Sequence, residues 1–117
     1  MSDRAFRTAY LVVEPNPLLR ADLAETLEDR DAEAAVIAVA TAQDALARLV
    51  ALQALRLALV AAGPDDFGGS ALAQMIKAKG GSVVLMGDRA EAYGEAAGYR
   101  VLQRPFSPPH VLGLLDD

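Results

Sequence analysis

Residues 55–62, Leu-Arg-Leu-Ala-Leu-Val-Ala-Ala, form a nearly uncharged run that stops at Gly63 and Pro64 and gives way to two acids, Asp65 and Asp66. The run has no polar face alternating with an apolar one, so it reads as a strand covered on both sides. Such strands belong to parallel sheets with helices packed above and below, where ligand chemistry sits just beyond the carboxyl ends of the strands. Residues 61–66 occupy that crest here, so the function of the chain turns on which groups they bring to it.

The rest of the chain repeats the same unit. Residues 8–14 form a first β-branched, apolar run ending at Glu14, and Asn16 with Pro17 offers an N-cap and a first turn for a helix over 18–30, where Leu19, Leu23 and Leu27 recur every four residues. Residues 34–40 read as a second strand, followed by Thr41 as N-cap of a helix with Ala45, Leu46, Leu49 and Val50 on its apolar stripe. After the third strand, residues 64–69 read as a loop. A helix over 70–79 follows, carrying Leu72, Met75 and Ile76 and ending at Gly80 and Gly81.

Residues 82–87 are the fourth strand. Asp88 and Glu91 then suggest an acidic variant of a capping box for a short helix that Gly94 interrupts. The fifth strand spans 99–103, and Ser107 with Pro108 caps a final helix carrying Val111, Leu112, Leu114 and Leu115. Five strands, each followed by a helix, predict a single domain over 1–117. The fold class is α/β, a three-layer α/β/α sandwich around a five-stranded parallel sheet, with the flavodoxin-like strand order 2-1-3-4-5 favoured at this length.

Composition narrows the function. A net charge of -5 opposes direct binding to nucleic acid, which relies on Lys and Arg displacing counterions. With no cysteine there is no disulfide, thiolate metal site or thiol nucleophile, and one His with no Trp leaves little for acid-base chemistry or base stacking. No apolar run approaches the roughly 20 residues that span a bilayer. Residues 1–7 carry basic side chains with no apolar core behind them, so we expect no secretion signal, no membrane association and a cytoplasmic protein.

Three segments together resemble the receiver domain of two-component response regulators, over essentially the whole chain. Residues 11–20, Leu-Val-Val-Glu-Pro-Asn-Pro-Leu-Leu-Arg, are similar to that family's first strand, acidic pair and helix start. Residues 59–68 resemble its third strand and following loop, and residues 104–108, Arg-Pro-Phe-Ser-Pro, its Lys-Pro-Phe segment. The resemblance implies a CheY-like fold and a place in signal transduction. It also implies a phosphorelay chemistry that uses an Asp ending the third strand, two acids for Mg²⁺, a hydroxyl ending the fourth strand and a Lys near the end of the fifth.

The chain departs from that pattern at nearly every position. Glu14 keeps the first acid, but the second falls on Pro15, the phosphoacceptor position falls on Ala61, or on Val60 if the loop is aligned without a gap, the hydroxyl position on Gly87 and the Lys on Arg104. Alanine has no atom to phosphorylate, so we expect no phosphoacceptor, no catalysis, no metal and no cofactor. With no phosphoryl group to face, Arg104 is expected to pair with Glu14. A rearranged acidic cluster of Glu14, Asp65, Asp66 and Asp88 would be the alternative, making the crest a module for a metal, phosphoryl group or small ligand built on Arg104.

Ser70 and His110 lack the surroundings of a hydrolase triad, and Gly63, Gly68 and Gly69 match no phosphate-loop pattern. The preferred expectation is a pseudo-receiver that acts through phosphorylation-independent protein-protein interaction or dimerisation. The resemblance places its face on Tyr93, Tyr99, Val111, Leu114 and Leu115, with Leu18 open to a partner on the first helix.

Overall fold

Val60 at the centre of the sheet shows why these runs become strands. Its neighbours Leu59 and Ala58 have no exposed surface, and each strand of the central three carries apolar residues toward both layers of helices. In this computed structural model, which describes residues 8–116, the strands are β1 (Ala9–Val13), β2 (Ala35–Val39), β3 (Leu57–Ala61), β4 (Ser82–Met86) and β5 (Arg100–Leu102). Residues 1–7, expected to carry no secretion signal, lie outside the described residues. The sheet is parallel throughout, in the order β2-β1-β3-β4-β5. Val13 pairs with Val60 and Ala61 with Met86, so the carboxyl ends of β1, β3 and β4 finish side by side.

The helices are α1 (Pro17–Arg30), α2 (Ala42–Leu49), α3 (Pro64–Phe67), α4 (Ala71–Ala78), α5 (Asp88–Tyr93) and α6 (Pro108–Gly113), the last running into a 3₁₀ turn at Leu114–Asp116. Alternation along β3 divides the core. Ala58 and Val60 join Leu49, Phe67, Leu72, Ile76 and Ala90 on one side of the sheet, whereas Leu57 and Leu59 join Leu23, Leu27 and Val111 on the other. This is the expected three-layer, flavodoxin-like arrangement.

The caps follow the sequence closely. Asn16 Oδ1 accepts from the backbone N–H of Leu18 at 2.9 Å and Leu19 at 3.2 Å, and Thr41 and Ser70 cap α2 and α4 in the same way. Two local features differ from expectation. The loop after β3 contains a turn of helix, α3, because Pro64 starts it, Asp65 and Asp66 favour its first turn, and the buried Phe67 anchors it. The proposed capping box of Asp88 and Glu91 does not form: Gly87 is the N-cap of α5, and both carboxylates point instead to an arginine.

Gly94 ends α5 for a steric reason that the sequence does not display. A Cβ there would lie 2.6 Å from both the Ala90 carbonyl oxygen and Val101 Cγ2, so only glycine lets the end of α5 rest on β5. Among the described residues no helix is long and apolar enough to cross a membrane.

Candidate functional site

The carboxyl ends of β1, β3 and β4 surround a cavity of about 460 Å³. Its lining includes Glu14, Pro15, Ala61, Gly87, Asp88 and Arg104, so the chain brings together the five positions that the resemblance singles out, whereas Asp65 lies outside the cavity. What they can do chemically is set by side chains that are missing and by partners already taken.

Ala61 is the last residue of β3 and is half-buried, presenting a methyl group where the crest would need a nucleophile. Glu14 follows β1 directly and is 8% exposed, the one buried acid among the described residues. Its Oε2 accepts the backbone N–H of Asn16 at 2.9 Å, which folds the carboxylate back onto its own loop. Arg20 closes the same loop from α1, donating through Nη1 to the Glu14 carbonyl at 2.8 Å and the Pro15 carbonyl at 3.3 Å. Pro15 adds neither an N–H nor a side-chain oxygen.

Arg104 corrects the sequence-based expectation of a Glu14 partner. Its Nε donates to Glu91 Oε2 at 2.8 Å, its backbone N–H donates to the same oxygen at 3.0 Å, and its Nη2 reaches Glu91 Oε1 at 3.3 Å and also Asp88 Oδ1. The cause is local geometry. Asp88 and Glu91 lie three residues apart on one face of α5, a spacing that suits a single guanidinium fork. The side-chain hydrogen bond from Arg104, reinforced by its backbone N–H, holds the Glu91 carboxyl below its ordinary range. The same Glu91 and Asp88 contacts push the Arg104 guanidinium further above its already high value.

A second pair of charges is matched beside the crest, while Asp66 lines the cavity. Arg89 Nη2 pairs with Asp65 Oδ2 at 2.8 Å, and its guanidinium carbon lies 5.6 Å from the centre of the Tyr93 ring. Gly87 has φ +104 and ψ 176, a region essentially restricted to glycine, so the hydroxyl position of the resemblance is held by a backbone that hydroxyl residues avoid.

The expected acidic cluster does not converge: Asp65 and Asp88 are turned to arginines, Pro15 and Ala61 offer no side-chain oxygen, and only Glu14 and Asp66 of the four acids line the cavity without an arginine partner. Among the described residues no group of three or more His, Asp or Glu is placed to hold a metal ion. Ser70 is engaged as the α4 cap, and His110 accepts the Ser107 backbone N–H through Nδ1 at 3.0 Å, stabilising the start of α6.

The expected interaction face is also revised. Val111 is 1% exposed and Leu115 is 4% exposed, and both belong to the core beneath α1 and α6. Val111 on α6 and Leu115 in the 3₁₀ turn after it share a core with Leu23 and Leu27 of α1 and Leu102 of β5, because α6 packs against α1. Tyr99 is half-buried, with its ring edge-on to Phe67 at 5.8 Å, and Leu114 is half-buried. Of the five, Tyr93 alone is a large exposed side chain, at 57%, while Leu18 on α1 is 79% exposed.

The strand order and the layers define a receiver fold of the flavodoxin-like type. Solved structures agree at low sequence identity. The chemotaxis protein CheY4 of Vibrio cholerae superposes with a TM-score of 0.65 at 18% identity, covering 94% of this chain and 97% of that one. A response regulator receiver protein from Sinorhizobium medicae gives 0.60 at 21% identity, covering 94% of each chain. No protein-family model and no curated protein matches the sequence.

Proposed function

We propose that this chain is a pseudo-receiver, a receiver-fold module of two-component signalling that acts by binding a protein partner or a second copy of itself, with no phosphoryl transfer and no enzymatic activity. The observation that carries this reading is the crest itself. Ala61 ends β3 with a methyl group, and Arg104, the cation nearest in role to a phosphoryl-binding residue, is committed to Glu91 and Asp88. With neither nucleophile nor free cation, the crest has no route to a phosphoaspartate.

The outer surface is where such a module acts. Tyr93 on α5 borders a groove of about 410 Å³ that Pro64, Asp65, Arg89, Ala96 and Ala97 complete, and aromatic and arginine side chains are the commonest anchors of interfaces. The test has two parts. Incubation with acetyl phosphate or beryllofluoride and Mg²⁺ is expected to leave the mass and the amide spectrum unchanged. Sedimentation and partner capture with wild type and Tyr93→Ala are expected to show an association that the variant loses. A phosphoryl adduct would overturn the reading and send the search for a nucleophile to Asp65 and Asp66.

A further inference from the structure

Helix α5 has little of its own to hold it in place. It is six residues long, below the length at which a helix is stable alone, and Ala90 is its one buried side chain. It starts at Gly87, whose φ of +104 makes a bend without side-chain packing, and it ends on Gly94. An element with so few apolar contacts belongs to the low-stability end of a fold, where local opening costs least.

Yet charged contacts tie it down on two sides. Arg104, from the segment after β5, grips Asp88 and Glu91 with its guanidinium and Glu91 again with its backbone N–H. Glu91 is the best shielded of the three, its side chain 23% exposed, so this is the strongest part of the grip. Arg89, projecting from α5 itself, reaches Asp65 on α3 and stacks over Tyr93. The Arg89 stem fits because Gly63 lies beneath it: a Cβ there would come within 2.8 Å of Arg89 Cβ.

We propose that Arg104 is a latch that sets the position of α5, and with it the Arg89–Tyr93 surface, by ion pairing in place of apolar burial. The latch is a conformational device independent of any ligand. Its functional consequence deepens the interaction-module reading and rests on it: the surface is held in one presentation without a phosphorylation event.

Hydrogen exchange followed by mass spectrometry on the full chain tests this directly. Arg104→Gln is expected to speed exchange of the amides in residues 88–97 by about two- to fivefold, the scale of losing a partly exposed ion-pair network, while amides in β1 and β3 keep their rates. Arg104→Lys keeps the charge but loses the fork and is expected to fall between wild type and Arg104→Gln. Glu91→Arg combined with Arg104→Glu is expected to recover part of the protection, which separates a latch from general damage. Unchanged α5 exchange in Arg104→Gln overturns the latch, and so does a uniform rise across the sheet without recovery in the exchanged pair. Sedimentation and partner capture with the same variants report separately on association: faster α5 exchange in a protein that neither self-associates nor captures a partner leaves the latch standing and removes the interaction reading.

Discussion

Arg104 and Glu91 share three hydrogen bonds, two from the guanidinium and one from the backbone N–H, although thirteen positions separate them in the chain. The pairing converts a crest cation into a structural clamp. It leaves Glu14 to the Asn16 backbone, and the cavity between them keeps the carboxylate of Asp66 but no unpaired guanidinium among its described lining residues.

That pairing has a pH signature. Glu91 is held below the ordinary carboxylate value of about 4.3, so the unfolded chain binds its proton at a higher pH than the folded one. The contribution is therefore complete above about pH 4.3 and is lost as pH falls through the lower folded value. Acid titration of the Glu91 side-chain resonances is expected to show the depressed midpoint in wild type and a return toward the ordinary value in Arg104→Gln. A wild-type midpoint at or above the ordinary value would contradict the clamp.

Restoring the nucleophile alone is expected to fail. In Ala61→Asp the new carboxylate would sit among Glu14, Pro15 and Gly87 with Arg104 still held by α5, so neither a metal nor a cation is in place to offset charge on an incoming phosphoryl group. Intact mass after incubation with acetyl phosphate and Mg²⁺ checks this, and no adduct is expected. The combined change Pro15→Asp, Ala61→Asp and Arg104→Lys is the one expected to gain it.

Gly87→Thr would supply the missing hydroxyl at a backbone that a threonine avoids. There is open space for a Cβ, so the penalty is conformational and not steric, and about 1 to 3 kcal/mol of stability is expected to be lost. Urea denaturation measures it, with the slope unchanged if the native state is only strained.

Leu115 and Tyr93 make opposite predictions. Leu115→Ala removes a buried side chain from the layer beneath α1 and α6 and is expected to cost about 2 to 5 kcal/mol. Tyr93→Ala changes an exposed side chain and is expected to stay within about 0.5 kcal/mol. Thermal and urea unfolding distinguish them, and an equal loss in both would mean that α5 is packed more deeply than its burial indicates.

The sequence by itself determined the scaffold and the side chains that stand at the crest. Strands apolar on both faces, helices with Leu19, Leu23 and Leu27 on one stripe, and caps at Asn16, Thr41 and Ser70 are local patterns. Burial and backbone hydrogen bonding act on each residue where it stands, so alternation leads to a parallel sheet, whose order the length of the chain favoured and the strand pairing fixed. The chemistry available to Ala61 and Pro15 was equally legible, because it depends on which atoms they possess and not on where they point. Only the tertiary structure decided the partner of Arg104, the burial of Val111 and Leu115, and the need for glycine at position 94. A guanidinium on a long flexible stem chooses among carboxylates by distances that span elements, and a helix face becomes core or surface only when its neighbours are in place.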